Sequence, residues 1–252
     1  MSTAPTIGFD RRIKLEWLER AAALVLLGGT ARDVRDNLHD ILRDEVQPHT
    51  NAGKEGREKS VRLIMHIWVS PRDELRSLRC GALEHFSRLP SAEHLPLHWG
   101  MTIAAYPFFG TVAEAVGRLL RLQGSAGAAQ VQRRMREQFG DRQFVERPTR
   151  HILRTLIEWD VLKESGDKGV YQPGLLHPID DVKLKVWLVE ATLLSNGSRP
   201  VPLRAVSNAP ALFPFAVGPI TPGTVAGNER LDVFRQGVDE DMVSLRVRPR
   251  DE

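Results

Sequence analysis

The sequence contains a single cysteine, Cys80, among its 252 residues. One cysteine excludes an internal disulfide framework and is typical of a reducing compartment, where we expect Cys80 to be a small buried hydrophobe. Long apolar runs are missing too, since the longest, residues 21–27, is far shorter than the ~20 residues that span a bilayer. The N-terminus has no small-residue cleavage site after that run, unlike a secretion signal. We therefore expect a cytoplasmic protein that does not contact a membrane.

The motifs of common enzymes are also missing. No GxSxG sequence is present, and the glycine-rich residues 124–127 are not followed by the Lys-Ser/Thr of a P-loop. His94 and His98 stand four residues apart with His85 nearby, but Pro96 separates them and no glutamate occupies the HExxH position. We expect these histidines to be structural, and we expect no metal, no cofactor and no catalytic residues. A metal-dependent enzyme that uses His94 and His98 is the alternative.

The composition that is present, 42% hydrophobic and 27% charged residues, is ordinary for a globular protein long enough for two domains. Apolar residues recur at helical spacing through most of the chain, which predicts a mainly α fold. The expected N-terminal helices cover residues 14–28, 30–42 (capped by Thr30), 58–69 and 70–86, with a loop at 47–56. An apolar helical segment at 97–122 is expected to break or kink at Pro107.

Residues 124–171 have the order of a winged helix-turn-helix: two helices, a tight turn and a β-hairpin. The first helix is expected to have Ser125 as its N-cap and to end at Gly140, before a turn at Asp141 and Arg142. The second is expected to carry Pro148 in its first turn, where the missing N–H has no intrahelical partner. Two short strands flank the Gly-rich residues 164–169, which predicts the wing. This order favours nucleic-acid binding.

The second helix has a basic face. Arg147, Arg150, Arg154 and Glu158 follow at steps of three and four, opposite the apolar residues. Residues 118–163 hold ten basic and five acidic side chains, whereas the whole chain has a net charge of only +3. Arginine neutralises phosphate or donates two hydrogen bonds to guanine, so double-stranded DNA is the expected partner. The predicted DNA contacts are Arg133, Arg134, Arg136, Arg147, Thr149, Arg150, His151, Arg154 and Lys168.

Two alternatives accompany this interpretation. Arginines at this spacing are also typical of the solvated side of an amphipathic helix. Winged helices, in addition, serve as protein-docking modules. After an expected helix at 178–194, the chain becomes proline-rich with apolar residues between the prolines, which predicts an extended arm lying on the helical body and ending in a β-hairpin. The apolar residues 210–215 of that arm favour the alternative of a subunit that docks onto a larger protein complex.

The pattern of the chain resembles the small A-type accessory protein of bacteriophage-exclusion (BREX) loci, a helical family of phage-defence gene clusters. The similar segments are residues 57–65 before a Ser-Pro-Arg-Asp-Glu-Leu helix start at 70–75, residues 94–109, residues 147–154 leading into 160–162, and Leu-Leu-His-Pro at 175–178. The resemblance covers roughly residues 10–195. The proline-rich arm has no counterpart in it.

The resemblance implies a non-enzymatic, helical component of a multi-protein defence system that binds double-stranded DNA. It supplies no catalytic residues, and the DNA contacts named above come from the helix face alone. The predicted organisation is an N-terminal helical lobe (residues 1–96), a central helix with the winged-helix lobe (97–195) and an extended C-terminal arm (196–252).

Overall fold

The computed structural model of the chain describes residues 8–45, 51–140, 143–237 and 240–246. This part of the chain is mainly helical. Its α-helices are α1 (Leu15–Leu26), α2 (Ala31–Glu45), α3 (Asn51–Ile64), α4 (Arg76–Arg88), α5 (Leu95–Ala105), α6 (Pro107–Gln123), α7 (Ala128–Phe139), α8 (Gln143–Glu158), α9 (Val182–Ser195), α10 (Leu203–Ser207) and α11 (Pro222–Ala226). Its strands are β1 (Ala126–Gly127), β2 (Leu162–Glu164), β3 (Val170–Pro173), β4 (His177–Pro178), β5 (Val201–Pro202), β6 (Phe215–Ala216), β7 (Leu231–Gln236) and β8 (Glu240–Leu245).

The first helices follow the expected order. Thr30 caps α2 as predicted, because its hydroxyl accepts from the Asp33 N–H (3.2 Å) while the Asp33 carboxylate accepts from the Thr30 N–H (2.8 Å). The loop predicted at 47–56 is wrong from residue 51 onward, where α3 begins. Gly53 and Gly56 are buried inside α3, so tertiary packing overrides their low helix propensity. A π-helical turn, Met65–Val69, follows α3.

The apolar segment breaks at Pro107, as predicted. Helix α5 ends at Ala105, Tyr106 leaves the helical conformation (φ −127°, ψ 82°), and Pro107 occupies the first turn of α6. Every residue of α5 is buried. Gly100 of α5 lies against the Trp187 indole of α9, where an added Cβ would come within 2.5 Å of the ring. Helix α5 is therefore the centre of the molecule.

After α6 the chain forms a strand, two helices and a β-hairpin. β1 pairs antiparallel with β3, and β3 pairs antiparallel with β2, giving a three-stranded sheet in the order β1-β3-β2. The sequence predicted the hairpin but not β1. Ser125 is not the cap of α7; Gly127 precedes that helix, and its N–H donates to the Gln130 side chain (3.0 Å). Gly140, at φ 84°, ends α7 as expected.

The second helix of this unit starts earlier than predicted. Helix α8 begins at Gln143, so Pro148 lies inside the helix and not in its first turn. The Pro148 ring is buried, and its packing offsets the helix hydrogen bond that proline cannot make. Asp141 and Arg142, the expected turn, lie outside the described residues.

The chain after α9 contains short helices and strands instead of one extended arm. A 3₁₀ turn, Pro210–Leu212, packs on α6, where the Pro210 carbonyl fits over Gly117. The terminal hairpin was predicted correctly: β7 pairs with β8, which also pairs with β5. Arg230, just before β7, donates to the buried Glu190 of α9 (2.9 Å) and to the Ser77 carbonyl oxygen (3.2 Å). These bonds attach the hairpin to the helical body.

One hydrophobic core runs through the described chain, from Phe9 to Val243. It crosses the predicted boundary between residues 96 and 97. The Ile13 N–H donates to Thr155 Oγ1 (3.1 Å), and the Trp159 indole donates to the Ile13 carbonyl (3.0 Å), so residues far apart in sequence hold the segment before α1 against the C-terminal part of α8. Cys80 is exposed, contrary to expectation. In the described chain, no helix combines the length and apolar character needed to cross a membrane.

Candidate nucleic-acid interface

Helix α8 separates its charged and buried residues onto opposite faces. Its buried stripe includes Val145, Ile152 and Leu156. At about 100° per residue, three exposed arginines fall within an arc of about 60° on the opposite face. These are Arg147, Arg150 and Arg154, and none of them forms an ion pair with any acidic side chain that the structure describes. The face therefore presents three guanidinium groups whose hydrogen-bond donors are available to an anion.

Thr149 does not belong to that face, which corrects the prediction for this residue. Its side chain is fully buried, and its hydroxyl donates to the Val145 carbonyl one turn earlier (2.7 Å). A buried hydroxyl with an internal acceptor cannot reach a surface ligand. The helical spacing already indicated this, since residue 149 falls on the same side as Ile152 and Leu153.

His151 lies at the border of the basic face and carries no charge at neutral pH. Burial, together with the charges of Arg11, Arg147 and Arg150, lowers the pKa of its imidazole from 6.5 to about 4. His151 thus adds at most a neutral donor or acceptor to the surface. Arg11, which precedes α1, belongs to the same positive cluster, although nothing in the local sequence around it pointed to this surface.

The three arginines of α7 have acidic or crowded surroundings. Arg133 lies 3.6 Å from Glu137, and Arg136 lies 2.6 Å from Glu146 of α8. Arg134 lines a cleft of about 320 Å³ between α6 and α7 that also contains Glu114. Neighbouring carboxylates offset the positive charge of these side chains, so α7 presents a weaker anion-binding surface than α8.

The hairpin presents Lys168 in its turn. This side chain is exposed, and the turn around it is closed by the Ser165 hydroxyl, which accepts from the Asp167 N–H (3.1 Å), and by Gly169 at φ 76°. Burial raises the pKa of Tyr171 on β3, and the nearby Arg154 charge opposes that rise. The basic face of α8 therefore extends to the strand that carries the hairpin.

The sequence interpretation missed Phe144, in the first turn of α8. Its side chain is 77% exposed, and in the described chain no other aromatic ring is as accessible. Phe144 lies one helical turn before Arg147, about 60° from it around the helix axis. An exposed aromatic residue beside a row of arginines is the signal that would have identified it.

His94 and His98 meet at one carboxylate. Glu19 Oε1 lies 2.9 Å from His94 Nδ1, and Glu19 Oε2 lies 2.8 Å from His98 Nε2. The Trp68 indole donates to His98 Nδ1 (3.1 Å), so the other ring nitrogen of His98 donates to Glu19. Burial alone would raise the pKa of Glu19, but hydrogen bonds from both histidines lower it. These bonds link α1 to α5.

Among the described residues, no group of three or more histidine, cysteine, aspartate or glutamate side chains has an arrangement that would hold a metal ion. His85, the third histidine considered for a metal site, instead lies beside the Arg88 guanidinium. Comparisons of the chain with protein-family models, curated proteins and solved structures give no match.

Proposed function

We propose that the protein binds double-stranded DNA through a winged helix-turn-helix formed by α6, α7, α8 and the β2–β3 hairpin. The order of the elements and the β1-β3-β2 sheet support this assignment. In a helix-turn-helix protein the second helix enters the major groove, and here that helix is α8.

The observation that carries the proposal is the row of three exposed arginines on α8, which form no ion pair with a described acidic side chain and lie opposite the buried stripe. The major groove admits an α-helix, and a guanidinium binds phosphate or the O6 and N7 atoms of guanine. In this proposal, Lys168 in the hairpin turn contacts an adjacent phosphate or the minor groove. Arg133, Arg134 and Arg136 provide secondary positioning contacts, weakened by their acidic neighbours.

The resemblance to the BREX accessory family supports a more specific proposal. Under this more specific proposal, the protein is a cytoplasmic, non-enzymatic component of a prokaryotic phage-defence system. It works without a metal or other cofactor. DNA binding is then the contribution of this chain, and other proteins of the defence complex are its partners.

The test is a titration of a fluorescent duplex and of its separate strands with the purified protein, repeated from about 50 to 200 mM salt. Because neutralised phosphates release counterions, we expect duplex binding that weakens steeply with salt and exceeds single-strand binding. Absence of duplex binding even at the lowest salt would refute the proposal.

The second candidate is a protein-docking subunit. The apolar residues 210–215, which favoured this candidate in the sequence, do not form a docking surface, because Leu212 and Phe215 are buried against the helical body. The exposed side chains of Leu175, Leu176 and Val182, which follow the hairpin, now favour it. Apolar docking releases no counterions, so absence of duplex binding, together with a complex with another protein that persists unchanged across the salt series, would favour this candidate over DNA binding.

A further inference from the structure

Phe144 exposes an aromatic ring at the edge of the arginine face. Its ring is 77% exposed, although Pro148 and Thr155, which fall within about 40° of it around the helix axis, are buried. Phenylalanine has no polar group to be solvated there, and large apolar side chains in water contribute nothing to folding stability. A ring at this place is best explained by what it touches in a complex.

The surroundings of Phe144 restrict the identity of that complex. Arg147 follows one turn later, and Arg150 and Arg154 continue the row, so an occupant of this face must be strongly anionic and also present an apolar group. Duplex DNA fits both requirements. The major groove displays hydrogen-bonding atoms at every base pair but only one apolar group, the C5-methyl group of thymine.

We propose that Phe144 reads thymine: its ring packs on thymine methyl groups in the major groove while the arginines bind phosphates or guanines alongside. This inference rests on the proposed function and deepens it by naming the class of target, a duplex with thymine under the first turn of α8. The first turn is the appropriate place, because the N-terminal residues of a recognition helix contact base edges.

The expected difference in affinity follows from the burial of one methyl group. Burying one such group against an aromatic ring strengthens binding roughly three- to fivefold. Replacing every deoxythymidine of a duplex by deoxyuridine removes the methyl groups and leaves the base pairing and the phosphates unchanged. The comparison therefore isolates the contact that we assign to Phe144.

The experiment measures the affinity of the full chain for an A·T-rich duplex and for its deoxyuridine counterpart. We expect the wild type to prefer the thymine duplex by at least about threefold, and Phe144→Ala to bind both equally and at the weaker affinity. Leu175→Ala, which removes another exposed apolar side chain (57% exposed) after the hairpin, should keep the preference.

The outcomes distinguish the two proposals. Equal wild-type affinity for both duplexes, or a preference that survives in Phe144→Ala, overturns the assignment of Phe144 and leaves DNA binding intact. No binding to either duplex at low salt overturns both. Phe144→Ala could also lose most of its affinity on single strands, with no dependence on methyl groups. That result shows stacking of the ring on unpaired bases and also overturns the assignment.

Discussion

Neutralising the α8 arginines should change the salt dependence of DNA binding by an amount that the structure fixes. In the variant Arg147→Gln/Arg150→Gln/Arg154→Gln, three exposed guanidinium groups are lost, and none of them forms an ion pair with a described acidic side chain. If each binds one phosphate, the slope of log K against log salt becomes shallower by about 0.9 per residue, or about 2.7 in total. Between about 50 and 200 mM salt, the wild type should then lose roughly 40-fold more affinity than the variant does.

The assay is a fluorescence-anisotropy titration of one duplex at several salt concentrations. A matched control neutralises three exposed arginines of the N-terminal helices, Arg32, Arg43 and Arg76, each within 4 Å of an aspartate. Since exposed pairs contribute little to stability, both variants should fold. A slope unchanged in the α8 variant, or reduced equally in the control, would refute the assignment of α8 as the DNA-contacting helix.

Four further predictions concern the free protein. Gly117→Ala should lower the free energy of unfolding by about 1–3 kcal/mol, because its Cβ would lie 2.0 Å from the Pro210 oxygen; thermal denaturation measures this. Glu19→Gln should cost about 1.5–3 kcal/mol in urea denaturation, because it removes hydrogen bonds made by a charged carboxylate. Stability should fall as the pH drops below about 6.5, since burial lowers the pKa of His98 and the unfolded chain then binds a proton that the folded chain does not. His151 should titrate at about 4 by NMR, and higher in the triple arginine variant.

Controls make these predictions specific. Gly166→Ala should leave stability unchanged, because nothing lies within 4 Å of the new Cβ. Glu16→Gln, at a side chain 62% exposed, should cost less than about 0.5 kcal/mol. Equal effects of the Glu19 and Glu16 substitutions, greater stability in acid, or a His151 pKa near 6.5 would each contradict the corresponding argument.

Local signals predicted much of the helical fold. The Thr30 cap, the break at Pro107 and the end of α7 at Gly140 each depend on the chemistry of one residue and its near neighbours, and each was predicted correctly. The β2–β3 hairpin was also visible from its Gly-rich turn. Strand β1 was not, because two residues carry no alternation pattern and pair with β3 only once the tertiary structure forms.

The errors at α8 have a different cause. Pro148 was given its preferred position at a helix start, whereas Val145 already belongs to the buried stripe of a helix that begins at Gln143. Thr149 was predicted to contact DNA, although helical geometry turns its side chain inward. Arg11 approaches His151 only through the tertiary fold, and the sequence around it gives no indication of that contact.

The hydrogen bonds between Ile13 and the α8 region have a consequence for how the protein is made. Ile13 and its partner Thr155 are 142 positions apart. At about 5–20 residues per second, a ribosome needs roughly 7–30 s to synthesise the intervening chain. During that interval the Ile13 N–H and carbonyl have no Thr155 or Trp159 to bond, so the segment before α1 stays open to chaperones until α8 has been made.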